Sequence, residues 1–89
     1  MYAVKLMPKA ERFLKRQDDQ TAWLVMEKLY ALARDPFAPN NNVKKLVEKK
    51  GYRLRIGDIR VIYEIRKNVL VIAVINIGFR GSVYKGDFE

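Results

Sequence analysis

The sequence predicts an α+β fold in which an N-terminal helical hairpin packs on one face of a small antiparallel β-sheet. Apolar residues in the first half recur at helical spacing, whereas the second half contains short runs rich in Val, Ile and Tyr. Two-residue segments, Gly57-Asp58 and Lys67-Asn68, separate these runs as hairpin loops do. Because the chain has 89 residues, we expect a single domain over residues 1–89.

The N-terminal segment predicts a short strand followed by a helix. Residues 2–7 alternate apolar and polar side chains, and this pattern ends at Pro8. Residues 9–17 then place Ala10, Phe13 and Leu14 on one face of a first helix.

A second helix is predicted from Thr21 to Arg34, after the helix-capping pair Asp18-Asp19. Its apolar stripe follows the spacing i, i+3, i+4, i+7, i+11 and consists of Ala22, Val25, Met26, Leu29 and Ala33. Asp35-Pro36 ends the helix, and the following prolines and asparagines indicate a loop. The short connection between the helices predicts an antiparallel pair lying on the sheet.

Three strands are predicted in the C-terminal half, at residues 52–56, 59–66 and 69–77. Gly57 at the first loop position favours a type II′ turn, which requires a positive φ there. The third strand is nearly continuous in apolar residues, so we expect it to be central and covered on both faces.

The Gly57-Asp58 turn predicts the register of the first two of these strands, with Arg55 opposite Arg60 and Arg53 opposite Ile62. Because side chains alternate between faces, all three arginines point away from the helices. Directly opposed like charges cost up to about 1 kcal/mol. The opposed arginines suit an anion site, since a guanidinium binds phosphate through two parallel hydrogen bonds. The alternative is a solvated face on which Glu64 pairs with one arginine.

The second turn extends this face towards the C-terminus. With Lys67-Asn68 as a two-residue loop, Arg60 lies near Ile75, and Phe79 and Arg80 follow just past the end of the strand. Tyr84 comes a few residues later. Arginines and a tyrosine around one sheet face indicate RNA binding or phosphate chemistry.

Composition narrows the classes of function. The net charge is +8, and residues 43–89 contribute +6 of it, which indicates a polyanionic partner, either nucleic acid or an acidic protein. The chain has no cysteine and no histidine, so we expect no disulfide, metal site or cofactor, and the commonest general base is absent. The longest apolar run has seven residues, far below the roughly 20 that span a membrane. We therefore expect a soluble, cytoplasmic protein.

The order of these elements, with the segments YRLRIGDIRVIYEI and GFRGSVYK, resembles the RelE/ParE toxin superfamily over essentially the whole chain. The resemblance implies the toxin of a type II toxin–antitoxin system. RelE-type members cut messenger RNA in the ribosomal A site without a metal, and an acidic antitoxin holds them inactive. The implied partners are therefore an acidic cognate antitoxin, mRNA and the ribosome, with a toxin–antitoxin hetero-oligomer and no membrane.

The resemblance also implies roles for individual residues. Arg60 is similar to the group that holds the scissile phosphate, Arg80 to the arginine after the glycine of the last strand, and Tyr84 to a tyrosine that stacks on the nucleotide. Two basic residues before the turn correspond to Arg53 and Arg55. We expect further RNA contacts from Lys44, Lys45, Lys49, Lys50 and Phe79, although Phe79 also fits a packing role.

One position departs from the family pattern. Many relatives have GHR where this chain has GFR, so Phe79 stands where a histidine would transfer a proton. Attack of a ribose 2′-hydroxyl on the adjacent phosphate then needs another base: Tyr84, Glu64, Lys49, Lys50 or a ribosomal group. Two alternatives stay open, a ParE-like inhibitor of DNA gyrase and an inactive relative that binds antitoxin.

Overall fold

The computed structural model describes residues 1–47 and 49–82. The α+β class and the predicted order of elements are confirmed, and one short strand is added before the hairpin. The elements are β1 (Ala3–Leu6), α1 (Pro8–Lys15), α2 (Asp19–Arg34), β2 (Val43–Lys45), β3 (Tyr52–Ile56), β4 (Ile59–Arg66) and β5 (Val71–Phe79).

The strands form one five-stranded sheet in the order β1-β5-β4-β3-β2. The hairpin strands β3, β4 and β5 pair antiparallel, as predicted, and so does the added β2 with β3. The sheet was expected to be wholly antiparallel, but β1 runs parallel to β5 and makes it mixed. This parallel pair joins distant segments, so no local turn signals it. The added strand β2 has only three residues, and its two lysines are typical of a protected sheet edge.

Both helices cover one face of the sheet, as the apolar stripes predict. In α2, Val25, Leu29 and Ala33 are fully buried, and Asp18 caps the helix by accepting a hydrogen bond from the Thr21 N–H at 2.7 Å. The sheet contributes Leu54, Ile56, Ile59, Val61, Tyr63, Ile72, Val74 and Ile77 to this core. None of the helices within the described residues is long and apolar enough to cross a bilayer.

The β3–β4 hairpin has the predicted register, from Tyr52 opposite Tyr63 to Ile56 opposite Ile59. Gly57 has a φ of +57° and Asp58 does not have a positive φ, which is the combination of a type II′ turn. A single turn residue therefore sets which side chains of the hairpin share a face.

The predicted two-residue turn between β4 and β5 is wrong. The connection is the four-residue segment 67–70, in which Leu70 takes the positive φ of +55°. An irregularity between Ile62 and Tyr63 shifts the pairing by one more residue. As a result Arg60 lies opposite Gly78, three residues beyond the expected partner, and Phe79 is the last residue of β5 and lies opposite Ile59.

Candidate nucleic-acid interface

The face of the sheet opposite the helices presents its arginines in two neighbouring cross-strand rows. One row consists of Lys44, Arg53, Ile62 and Asn76. The next row consists of Arg55, Arg60 and Gly78. The three hairpin arginines thus share one face, as the turn predicts, and Gly78 adds no side chain beside Arg60.

Arg60 is a nearly buried cation, only 9% exposed. Its Nη1 donates hydrogen bonds to the carbonyl oxygens of Gly57, at 2.6 Å, and Ile59, at 3.1 Å, so the side chain folds back over the turn. Within residues 1–47 and 49–82, no carboxylate lies within ion-pair distance of its guanidinium. Buried charges are normally paired, and a guanidinium has five N–H donors. Among the described residues, no carboxylate therefore compensates the charge of Arg60.

Two more arginines lie at the same end of the hairpin. Arg55, directly opposite Arg60, is exposed to solvent. Arg80 is also exposed, and its backbone N–H donates to the Asp58 carbonyl at 2.7 Å, which ties the end of β5 to the β3–β4 turn. The fold thus gathers Arg55, Arg60 and Arg80 around one turn and concentrates positive charge there.

Arg53 and Lys44 lie in the adjacent row of the same face, and Arg53 is half-buried. Further along β4, the Glu64 carboxylate accepts from Arg66, with Nη2 and Oε1 3.3 Å apart. Glu64 lies four positions further along β4 than Arg60, which puts their Cα atoms about 13 Å apart. Glu64 therefore pairs with Arg66 and lies away from the turn on which the Arg60 side chain folds back.

The other three predicted lysines lie elsewhere. Lys45, Lys49 and Lys50 line a hollow of about 320 Å³ together with Phe37 and Lys67, at the end of the hairpin remote from its turn. The Lys67 Nζ lies 4.9 Å from the centroid of the Phe37 ring. These lysines form a second basic surface, separate from the arginine rows, and the role predicted for them stays a prediction.

The aromatic residues predicted near the site have different positions. Phe79 points to the helix side, where its ring meets that of Phe13 edge-on with centroids 5.3 Å apart, and it remains 49% exposed. Phe79 therefore packs against Phe13 and still exposes about half of its surface to solvent. Tyr84 lies outside the described residues, so its predicted stacking role stays a prediction.

A basic cleft of about 500 Å³ between α1 and β5 was missed at the sequence level. Its cations are Lys9 and Arg12 of α1 and Arg16, which caps the C-terminus of this helix, and Gly78 and Phe79 line its other side. The signal was present in the i, i+3, i+7 spacing of these cations, which places them on one helix face. The expectations for this helix concern only its apolar face.

The arrangement stabilises negative charge better than it transfers protons. Lys49 and Lys50 lie at the far end of the hairpin, and Glu64 contacts Arg66. Tyr63 is fully buried on the helix side, where burial and, secondarily, the neighbouring Tyr52 raise the pKa of its hydroxyl. In the described part of the chain, none of the predicted bases lies beside Arg60.

Comparison with known proteins gives one family and several similar structures. Residues 4–84 match the family model described as the ParE toxin of the type II toxin–antitoxin system parDE. The archaeal RelE–RelB complex from Pyrococcus horikoshii OT3 contains a chain 27% identical, with a TM-score of 0.75 over 91% of this chain and 97% of that one. A comparison with curated protein sequences gives no match.

Two more distant structures share the fold. The intact E. coli RelBE toxin–antitoxin complex matches with 18% identity and a TM-score of 0.75, over 89% of this chain and 96% of that one. The YoeB/ParE toxin from Agrobacterium tumefaciens matches with 17% identity and a TM-score of 0.72, over 88% and 98%.

Proposed function

The chain belongs to the ParE toxin family of type II toxin–antitoxin systems, and from this premise we propose that it is a ribosome-dependent, metal-independent endoribonuclease that cleaves mRNA. The observation that carries the proposal is Arg60, a nearly buried guanidinium with no carboxylate partner in the described residues. An RNA phosphate provides the missing anion, because its geometry matches the guanidinium fork.

The proposed reaction is attack of a ribose 2′-hydroxyl on the adjacent phosphate. The bond to the 5′-oxygen of the next nucleotide breaks, which leaves a cyclic phosphate and a 5′-hydroxyl. Arg60 holds the phosphate, while Arg55 and Arg80, which lie around the same turn, stabilise the negative charge that grows in the transition state. Each well-placed donor of this kind contributes about 3–4 kcal/mol.

Proton transfer is assigned to a group beyond the arginine rows. Arginine stays protonated and cannot act as a base. We assign the base to Tyr84 or to a ribosomal group; it takes the proton of the 2′-hydroxyl, and the departing 5′-oxygen takes up a proton from the protonated base or from water. A ribosomal base would also explain why cleavage needs the ribosome. Arg53 and Lys44, in the adjacent row, then hold the neighbouring nucleotide.

The proposed partners follow from this target. The substrate is mRNA in the ribosomal A site, which places the protein in the cytoplasm. Two of the similar structures are toxin–antitoxin complexes, and an acidic antitoxin suits a chain of net charge +8.

The test is to express the chain without an antitoxin and map mRNA 5′ ends. Arg60→Ala and Arg80→Ala should remove the cleavage sites, while Arg34→Ala, at the exposed end of α2, should retain them. Circular dichroism of each variant separates loss of activity from loss of fold. Intact messages in cells that have stopped growing would rule out the proposal.

A ParE-like inhibitor of DNA gyrase is the second candidate, favoured by the family match and by the lack of a base beside Arg60 in the described residues. Inhibition of purified gyrase, with DNA-damage signalling and intact translation, would favour it. If the chain is instead an inactive relative that binds antitoxin, we expect a third result, in which Phe79→His restores cleavage. No gain from that substitution would count against this explanation.

A further inference from the structure

Among the described residues, the charged side chains that line the cleft between α1 and β5 are all positive. Lys9, Arg12 and Arg16 line it and are all exposed, and no carboxylate of the described residues lines it. Glu11, the acidic residue of this helix, pairs with Lys15 at 3.8 Å and is not part of the lining. The cleft is therefore a positive surface that is not neutralised within the described part of the fold.

The cleft exists because β1 is short. β1 pairs with β5 only as far as Val74, and the Met7 N–H donates to the Val74 carbonyl at 2.9 Å where the chain turns into α1. Beyond that point the edge of β5 faces α1 instead of another strand. Gly78 on this edge lines the cleft and also lies opposite Arg60, so the cleft and the row of Arg60 meet around the open edge of β5, on the two faces of the sheet.

An aromatic surface completes the cleft. Phe13 and Phe79 both line it, and their edge-on contact leaves Phe79 half exposed. A groove that combines cations with an accessible aromatic ring is typical of proteins that bind single-stranded nucleic acid, in which bases stack on the ring and cations follow the backbone.

We propose that this cleft binds the backbone phosphates of the single-stranded RNA next to the phosphate held by Arg60. The inference rests on the proposed function and extends it from one reacting phosphate to a strand several nucleotides long. Arg12 and Arg16 contact phosphates, Lys9 adds to the local positive potential, and Phe79 supports a base. An acidic peptide fits the cations equally well but makes no use of the exposed ring or of the continuity with Arg60.

The experiment measures binding of a fluorescein-labelled RNA of about nine uridines, a length within the site sizes of single-strand binders. Its 2′-hydroxyls are methylated, so binding is read without cleavage. Fluorescence anisotropy over a range of salt concentrations compares the wild type with Arg12→Gln/Arg16→Gln. The matched control is Lys28→Gln/Arg34→Gln, which removes the same charge from exposed positions of α2 outside the cleft.

The cleft variant should bind the RNA about tenfold more weakly, and its log–log salt slope should decrease by about 1.4, or 0.7 for each lost phosphate contact. The control should keep the wild-type slope. Equal slopes for the cleft variant and the control would overturn the inference. Unchanged RNA binding with weakened binding of a labelled polyglutamate peptide would also overturn it, in favour of an acidic peptide.

The two proposals fail in different ways. If the wild type does not cleave mRNA but the cleft variant shows the expected change in slope, the proposed reaction is wrong and the cleft still binds RNA. If mRNA is cleaved and the cleft variant binds RNA like the control, the cleft assignment alone is wrong.

Discussion

Arg55 and Arg60 lie directly opposite each other across the β3–β4 hairpin, and their side chains occupy different environments. Arg60 is nearly buried on the carbonyls of Gly57 and Ile59, whereas Arg55 is exposed. The hydrogen bonds of Arg60 to the turn do not neutralise its charge. The pair therefore presents two positive charges at one turn, an arrangement that a bound anion stabilises.

The first prediction concerns Arg55. Arg55→Glu replaces a like-charge pair with an opposite-charge pair, so the free energy of unfolding should rise by up to about 1 kcal/mol. RNA binding should weaken because the new carboxylate repels phosphate. Urea denaturation measures the first effect and anisotropy the second. Arg55→Gln removes charge without adding an ion pair and should be intermediate in stability; a less stable Arg55→Glu would contradict the prediction.

The second prediction separates the function of Arg60 from its contribution to stability. Arg60→Met keeps an unbranched side chain against the sheet and removes the buried charge. The carbonyls of Gly57 and Ile59 lose its hydrogen bonds, and water can reach the exposed Gly57. We expect a free energy of unfolding within about 1 kcal/mol of the wild type, because the relief of burying a charge offsets the loss of these hydrogen bonds. RNA cleavage should fall by about 10²–10³-fold.

Inorganic phosphate provides a second measurement for this prediction. A ligand that binds only the folded state raises the melting temperature as its concentration exceeds the dissociation constant. Phosphate should raise the melting temperature of the wild type and of Arg34→Met more than that of Arg60→Met. Equal shifts in all three proteins would show that Arg60 does not hold an anion.

Local signals were enough to predict the half of the site that lies on the β3–β4 hairpin. Gly57 determines the turn type, and the turn type determines the register, so the common face of the three arginines followed from sequence. The burial of Arg60 was not predictable, because it depends on a side-chain rotamer that folds back onto the turn carbonyls.

The remaining half depends on interactions that sequence spacing does not encode. Asn68 is a common residue for a positive φ, but Leu70 adopts it, and the strand irregularity beside Ile62 has no glycine to mark it. The parallel pairing of β1 with β5 joins strands that lie more than 60 residues apart in the sequence. The cleft between α1 and β5 arises from that pairing, so its position depends on the sheet topology and not on local sequence.

The third prediction compares two glycines with positive φ. At Gly51 a Cβ would lie 2.7 Å from the Tyr63 carbonyl oxygen, whereas at Gly57 nothing lies within 4 Å of it. Gly57→Ala should cost about 1–2 kcal/mol from backbone strain alone. Gly51→Ala should cost more, because the β4 backbone must also move. Chemical denaturation measures both, and equal losses would show that the close approach at Gly51 is easily relieved.

The last prediction concerns the hydroxyl of Tyr63. It is fully buried and has no hydrogen-bond partner among the described residues, while its ring stacks on Tyr52 with centroids 5.5 Å apart. An unsatisfied buried polar group costs about 1–3 kcal/mol. Tyr63→Phe keeps the stacking and removes this group, so at neutral pH the free energy of unfolding should stay equal or rise. Tyr52→Phe is the matched control.

The pH dependence of the free energy of unfolding tests the role of this hydroxyl more directly than the value at neutral pH. Burial, and secondarily Tyr52, raise the pKa of the Tyr63 hydroxyl above its ordinary value of 10.0. Above that value the unfolded state loses this proton while the folded state keeps it, so the wild type loses stability by up to about 1.4 kcal/mol per pH unit. Tyr63→Phe lacks this proton, and its advantage over the wild type should therefore grow as the pH rises above 10. A constant difference between the two proteins from pH 8 to 11 would mean that the hydroxyl ionises as readily in the folded chain as in the unfolded one.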